Sequence, residues 1–129
     1  MPYIQIEVIR SYPVKTKQLL AKRIGEVYSN IMQADVKRIT VTIRELGEGS
    51  IWRCGTDNPY PAAIMMCDIR TGRDKNTREK LSKHLIQICN EMLELETNQL
   101  NIEYTQHSGD EMYHQWMGHL SDDWSPEEQ

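Results

Sequence analysis

The sequence predicts an α/β (α+β) domain made of a duplicated β-α-β unit, with a four-stranded sheet and both helices on one face. Three observations support this prediction. Two alternating apolar segments each precede an amphipathic helical segment, a further alternating segment follows each helix, and the two halves match when the chain is shifted by 61 residues. Strands alternate with period two and helices repeat every 3.6 residues, so the two patterns distinguish the elements.

The first unit begins with an alternating strand over residues 3–9, in which Ile4, Ile6 and Val8 share one face. Pro13 suits a first helical turn, where its missing N–H needs no partner, and a helix is predicted from about Val14 to Met32. The helix carries an apolar stripe at steps of four, three and four: Leu20, Ile24, Val27 and Ile31. A second strand then alternates through Ile39, Val41 and Ile43. The short links favour parallel strands and a right-handed crossover.

The second unit follows a loop rich in Gly, Asn and Pro at residues 47–61, which holds Trp52 and Arg53. Residues 62–69 form an apolar strand, and Asp74 is the predicted N-cap of a helix that runs to about Leu93. Its apolar stripe has the same spacing as the first: Leu81, Leu85, Ile88 and Met92. The last strand alternates through Leu100, Ile102 and Tyr104.

The chain is predicted to hold one domain over residues 1–118, with repeats at 2–45 and 62–105, followed by an acidic tail at 119–129. A short helix is predicted from Gly109 to Met117, and Trp116 and Trp124 are expected to dock on another surface within or between subunits. The sheet face away from the helices is polar, with Tyr3, Gln5, Thr40 and Thr42. Another subunit is expected to cover that face.

Composition excludes several classes of function. The net charge of −4 and the pI near 5.5 argue against nucleic-acid binding. No apolar run approaches the ~20 residues of a membrane span, and the N-terminus lacks the pattern of a secretory signal. Cys67 and Cys89 fall on apolar faces and are predicted to be buried thiols. A cytoplasmic protein is therefore expected, with no nucleic-acid or membrane partner.

Pro2 is the candidate catalytic residue, because removal of Met1 would expose a secondary amine at the start of a strand. An α-amine has a pKa of about 8, and apolar burial or neighbouring arginines lower it. A neutral amine can remove a proton beside a carbonyl, whereas a charged one can protonate a double bond during addition of water. The alternative is an ordinary edge proline. The counterpart of Pro2 in the second repeat is Ala63, an internal residue, so each chain can hold one such amine.

Arg70 and Arg73 stand where the third strand gives way to the second long helix. Two guanidinium groups beside a helix N-terminus favour a bound carboxylate or another anion. The alternative is that both are solvated turn residues that pair with acidic side chains.

A proline after the initiator Met, ahead of a β-α-β unit repeated about sixty residues later, resembles the tautomerase superfamily. The long members of that superfamily fuse two such units and assemble as trimers. The turn Arg70-Thr71-Gly72-Arg73 resembles the cis-3-chloroacrylic acid dehalogenase group. The resemblance covers roughly residues 2–118. It implies a tautomerase-like fold, a homotrimer, Pro2 as the catalytic proline, and Arg70 and Arg73 as the residues that hold the substrate carboxylate.

Three further positions follow from the same resemblance. Tyr104 matches the tyrosine of the dehalogenase group, Tyr28 occupies the position of its His, and Gln115 occupies the position of its water-activating Glu. Gln115 can orient a water or a carbonyl but cannot accept a proton from water. The alternative for Tyr28 is helix packing with its hydroxyl at the surface, and the alternative for Tyr104 is a core role. The paired arginines of the short tautomerases are replaced by Tyr12 and Thr40.

The sequence thus predicts a cofactor-independent, tautomerase-like isomerase acting on a small 2-oxo, enol or unsaturated carboxylic acid. One alternative is a hydratase, dehalogenase or decarboxylase of 3-haloacrylate-like acids with Pro2 as general acid, and another is a non-catalytic trimeric relative. No metal site is predicted, because the spacings of His107, His114 and His119 put no pair at a helical i, i+4.

Overall fold

The computed structural model of the chain describes residues 2–127 and confirms the predicted fold class. The two long helices pack side by side against one face of a four-stranded mixed sheet. The sheet consists of β1 (Tyr3–Val8), β2 (Thr40–Glu45), β5 (Ala63–Arg70) and β6 (Leu100–His107), and the helices are α1 (Val14–Met32) and α2 (Lys75–Leu93). The predicted helix bounds agree with these ranges.

The strand order β2-β1-β5-β6 joins the two repeats through their first strands. Within each repeat the strands are parallel, as predicted, whereas β1 and β5 run antiparallel with Tyr3 opposite Asp68. The start of β1 therefore meets the end of β5. This arrangement makes the two repeats related by an approximate twofold axis between β1 and β5.

The core lies between the sheet and the two helices. The alternating strand residues and the helix stripes predicted from the sequence meet there, and Cys67 and Cys89 are buried, as predicted. Burial raises the pKa of both thiols to about 12, so both are neutral and unreactive near pH 7. The side chain of Asp74 caps α2 by accepting a hydrogen bond from the Thr77 amide at 2.8 Å, as predicted. Pro13 precedes α1 as its N-cap instead of lying in its first turn.

The segment after β6 differs from the prediction. Instead of a helix from Gly109 to Met117, a short 3₁₀ turn (Gly109–Glu111) is followed by a hairpin of β7 (Tyr113–His114) and β8 (His119–Leu120). Gly118 adopts a left-handed conformation with φ of 75°, which allows the tight turn of the hairpin. The midchain loop also contains a hairpin, of β3 (Trp52–Arg53) and β4 (Tyr60–Pro61).

The last carbonyl of each long helix accepts hydrogen bonds from a side chain of the other repeat. The Tyr12 hydroxyl donates to the carbonyl of Leu93 at 2.8 Å, and Arg73 donates through Nε and Nη2 to the carbonyl of Met32 at 3.0 and 2.9 Å. Tyr12 and Arg73 are 61 positions apart, as are Met32 and Leu93. Each repeat therefore satisfies the last carbonyl of the helix in the other repeat, a group that has no partner within its own helix.

The sheet face away from the helices carries a row of polar contacts. Tyr3 donates to Gln5 at 3.1 Å, Gln5 donates to Glu7 at 3.2 Å, and Arg44 pairs with Glu7 at 2.9 Å. The polar character of this face is as predicted. Within residues 2–127, neither helix has the length and apolarity needed to cross a bilayer.

Replacing Tyr12 by Phe removes one of the reciprocal contacts and keeps the ring. We expect the free energy of unfolding to fall by about 1 kcal/mol, because one neutral hydrogen bond is lost. Urea unfolding measures the change, with Tyr113→Phe as the control because Tyr113 is exposed on the hairpin. Equal stability of the Tyr12→Phe protein and the wild type would contradict a stabilising role for this contact.

Candidate active site

Pro2 is buried at the end of the sheet where β1 begins and β5 ends. Because Tyr3 lies opposite Asp68, the antiparallel register continues with Pro2 opposite Ile69, next to Arg70. The Pro2 carbonyl accepts a hydrogen bond from the Thr40 amide at 3.2 Å, which fixes this end of β1 to the start of β2. Met1, on whose removal the free amine depends, lies outside the described residues.

Arg70 and Arg73 are both buried, with only 4% and 6% of their surface exposed. Nη1 of Arg70 donates to the carbonyl of Asp122 at 2.5 Å, and Arg73 binds the carbonyl of Met32. The alternative that both are solvated turn residues is therefore wrong. The guanidinium of Arg73 also stacks on the ring of Trp124, with its Cζ atom 4.3 Å from the ring centroid. Such a cation–π contact adds to the hydrogen bonds that hold Arg73 in place.

Residues 121–126 form a strap that lies over the two arginines. The carboxylate of Asp123 accepts a hydrogen bond from the Gly109 amide at 2.7 Å, and the Trp124 indole donates to the carbonyl of Gln33 at 3.4 Å. Trp124 packs on Gly72, where a Cβ atom would lie 3.1 Å from the indole, and Gly72 has φ of 140°. Trp124 thus docks within its own chain, one of the two outcomes expected from the sequence.

A cavity of about 330 Å³ remains between the strap and the ends of the two helices. Its lining includes Met32, Gln33, Arg73, Thr77 and Trp124. The volume is of the size that holds a small organic acid, at the lower end of ordinary ligand pockets. The cavity therefore places a buried guanidinium beside a space of that size, with the carboxylate of Asp74 on the same lining.

Tyr28 lies in the core, with its side chain fully buried. Burial raises the pKa of its hydroxyl, and the nearby charges of Arg73 and Arg70 oppose that rise. Tyr28 is therefore a neutral phenol that can donate a hydrogen bond. The alternative with its hydroxyl at the surface is wrong.

Tyr104 is not brought to Pro2 of the same chain. Its hydroxyl contacts the Ser82 hydroxyl at 2.9 Å and donates to the carbonyl of Arg78 at 3.1 Å, both on α2. Burial raises its pKa to about 12. Tyr104 lies on β6, opposite Cys67 of β5, so one whole strand separates it from β1. At ordinary strand spacings its backbone is roughly 12 Å from that of Pro2.

Gln115 is exposed in the turn between β7 and β8. The residue before it, His114, is buried with 5% of its surface exposed, and sequence reasoning weighed it only as a metal ligand. The hairpin places the neighbouring residues Gln115 and His114 on opposite sides. Gly118 is the one sequence signal of that hairpin. Within residues 2–127, no three His, Cys, Asp or Glu side chains gather in a metal-binding arrangement.

Comparison with known proteins gives a family match in the first half and a fold match over nearly the whole chain. The Tautomerase family model, described as tautomerase enzyme, matches residues 2–56. No curated protein sequence matches the chain.

Three similar structures illustrate the fold match. One is N1, a member of the cis-3-chloroacrylic acid dehalogenase (cis-CaaD) family, with a TM-score of 0.81 and 17% identity over 94% of this chain and 84% of that one. A symmetric trimer of wild-type fused 4-OT has a TM-score of 0.78 and 13% identity over 92% and 94% of the two chains. The protein Pt0534 inactivated by 2-oxo-3-pentynoate has a TM-score of 0.76 and 18% identity over 92% and 94%.

These identities are low, so the structural matches speak for the fold, while the family model speaks for the sequence of the first repeat. The family match begins at residue 2 and covers the first β-α-β unit, and the structural matches extend over both units. The chain therefore has the tautomerase fold, and its resemblance to the tautomerase superfamily is confirmed.

Proposed function

We propose that this protein is a cofactor-independent, tautomerase-like isomerase of a small 2-oxo, enol or unsaturated carboxylic acid. Pro2, once Met1 is removed, is the general base, and Arg70 and Arg73 hold the substrate carboxylate. The observation that carries the proposal is the meeting of the start of β1 with the end of β5, which brings the buried Pro2 next to Arg70. Acid–base chemistry at one carbon of such an acid needs a base and an anion anchor.

The chemistry follows from the charges around Pro2. Burial and the positive charge of Arg70 both disfavour a protonated amine, so they lower the pKa of the Pro2 nitrogen towards neutral pH. The neutral amine removes a proton from the carbon beside the carbonyl, and the resulting ammonium returns that proton to another position. Arg70 and Arg73 orient the carboxylate so that the reacting carbon lies near the amine.

Two of the similar proteins support the substrate class and the assembly. Pt0534 was inactivated by 2-oxo-3-pentynoate, an acetylenic 2-oxo acid, and the fused 4-OT neighbour is a trimer. We propose the same class of acid for this chain, and a homotrimer in which the polar sheet face is covered by neighbouring subunits. Tyr104 hydrogen-bonds to α2 on the helix side of the sheet, away from its own Pro2, so this proposal gives it no catalytic role.

The likeness to a member of the cis-3-chloroacrylic acid dehalogenase family favours a second candidate, addition of water to a haloacrylate-like acid. In that reaction Pro2 is the general acid. Gln115 is exposed in the hairpin turn and cannot accept a proton from water, so this candidate lacks its expected base. Tautomerisation needs no water activator and is the better supported reaction.

Substrate access requires the strap over the arginines to move. The carbonyl of Asp122 occupies a donor of Arg70, and Trp124 covers Arg73. A substrate carboxylate competes with the strap for the same guanidinium groups. The strap therefore lowers the apparent affinity for substrate by the fraction of molecules in which it is closed.

Pro2→Ala tests the base directly. We expect kcat/KM for a 2-oxo acid to fall by about 10²- to 10⁴-fold, the usual contribution of a positioned base. Enol–keto interconversion is followed by ultraviolet absorbance on protein whose N-terminus has been verified by intact mass. Pro13→Ala is the matched control, since Pro13 is exposed before α1. Unchanged activity of Pro2→Ala would rule out this mechanism.

Arg70→Ala tests the carboxylate anchor. We expect KM to rise by about 10- to 100-fold, because a hydrogen bond to a charged group contributes roughly 1.5–3 kcal/mol. Steady-state kinetics measure the change, and Arg23→Ala is the control because Arg23 pairs with Glu91 on the exposed face of the helices. If the KM of the Arg70→Ala protein matches that of the Arg23→Ala protein, Arg70 has no part in substrate binding.

Gly109→Ala tests the strap without altering any residue that contacts an arginine. A Cβ atom at this position would overlap the backbone carbonyl of Asp122, so the strap must shift. We expect KM to fall by about threefold or more and tryptophan emission to shift to the red as Trp124 enters water. Gly25→Ala is the control, because its added Cβ would make only an ordinary 3.5 Å contact with Val36. If tryptophan emission shifts to the red but KM does not change, the strap does not compete with substrate.

A further inference from the structure

The hairpin of β7 and β8 and the strap that follows it contact residues on both sides of the sheet end at which Pro2 lies. Ser121, just after β8, donates its amide to the carbonyl of Met112 at 2.9 Å and so extends the hairpin by one pair. The next residue, Asp122, accepts the hydrogen bond from Arg70 at the end of β5. On the other side, the Cζ atom of Arg38 lies 5.9 Å from the ring centroid of Trp116 in the hairpin turn.

Arg38 and Arg70 both border Pro2. Arg38 stands two residues before Thr40, whose amide binds the Pro2 carbonyl, and Arg70 follows the residue opposite Pro2. Arg38 contacts the turn of the hairpin and Arg70 contacts the start of the strap, so hairpin and strap together reach from the residues before β2 to the end of β5. The inner face of the hairpin, which carries His114, lies close to both arginines, since, besides burial, the charges of both lower the pKa of His114.

Two buried polar side chains lie on that inner face, which also carries the exposed His119. Tyr113 and Leu120 form one cross-strand pair and are exposed, whereas His114 and Ser121, on the opposite side, are 5% and 2% exposed. The buried Nε2 of His114 and Oγ of Ser121 make no hydrogen bond to any other residue in the range 2–127. Buried polar atoms in folded proteins are almost always hydrogen-bonded, so this pair points to a polar group that binds between the hairpin and the sheet.

The surroundings of His114 favour a neutral imidazole. Burial lowers its pKa, and the positive charges of Arg38 and Arg70 lower it further. A neutral imidazole carries one N–H donor and can stabilise a developing oxyanion near pH 7. An imidazolium in the same place would lose its proton at neutral pH.

Resting on the proposed function, we propose that His114 donates a hydrogen bond from Nε2 to the substrate's carbonyl oxygen. As Pro2 takes the proton from the adjacent carbon, the C–H electron pair forms the carbon–carbon double bond and the carbonyl pair moves onto the oxygen. His114 stabilises the negative charge that develops there. Transfer of the proton from the Pro2 ammonium to that oxygen gives the enol, whereas its return to C3 after exchange with solvent gives back the labelled 2-oxo acid. The arginines bind the carboxylate and the imidazole binds the ketone, so a 2-oxo acid satisfies both.

The test compares His114→Ala and His114→Gln with His119→Ala, the exposed cross-strand partner of His114. The reaction is exchange of the C3 protons of 2-oxobutanoate for deuterium, followed by NMR. We expect His114→Ala to lower kcat by about 100-fold with KM changed by less than about threefold. His114→Gln should recover about tenfold of that loss because its amide is also a donor, and His119→Ala should match the wild type.

The outcome separates this proposal from the proposed function. If Pro2→Ala is inactive while His114→Ala keeps kcat within about threefold of the wild type, His114 has no role at the carbonyl and the base assignment stands. If Pro2→Ala retains full activity, the proposed function fails first. As a readout independent of turnover, addition of pyruvate to Pro2→Ala should shift the ring NMR signals of His114 and leave in place those of His84, which is exposed on α2. The absence of that shift would overturn the proposal.

Discussion

The reciprocal closure of the two helices is the contact on which both the fold and the candidate site depend. Tyr12 binds the last carbonyl of α2, and Arg73, its counterpart in the second repeat, binds the last carbonyl of α1. Gln33 and Glu94, the residues after those carbonyls, share a left-handed conformation with φ of 52° and 53°. The backbone at the two helix ends thus follows the approximate twofold symmetry, but the side chains that bind the two carbonyls differ. At the end of α2 the carbonyl is bound by the Tyr12 phenol together with the exposed guanidinium of Arg10, whereas at the end of α1 it is bound by the buried guanidinium of Arg73.

The two ends of the sheet are equivalent in backbone but carry different side chains, and only one end has the residues of the candidate site. Pro2 and Arg73 belong to one end of the sheet, and Ala63 and Tyr12 occupy the equivalent places at the other, where a smaller cavity of about 250 Å³ remains. Because the Met32 carbonyl binds Arg73 through two of its nitrogens, its guanidinium stays in place when the strap moves and before any ligand arrives. Such preorganisation reduces the entropy lost on binding an anion. The same contacts make Arg73 a structural residue, so Arg70 is the cleaner probe of substrate binding.

The elements of the core could be predicted from the sequence because their signals are local. The bounds of α1, the Asp74 cap and the strand faces follow from periodicity and from the chemistry of single positions. The partners of Arg73 and Arg70 lie 41 and 52 residues away, and no local pattern encodes them. The spacing from Tyr104 predicts Gln115 as a site residue, but the hairpin directs alternate residues to opposite sides and buries His114 instead. The strap and the hairpin inner face could be found only in three dimensions.

The central claim is that the unblocked nitrogen of Pro2 performs the chemistry, and it depends on one peptide bond. Two preparations that differ only at the N-terminus, one beginning at Pro2 and one retaining Met1, provide the most direct measurement. Deuterium exchange at C3 of 2-oxobutanoate should proceed with the first and be at background with the second, because an acylated proline nitrogen is an amide without basicity. Equal exchange by both preparations, or none by the protein that begins at Pro2, would contradict the account.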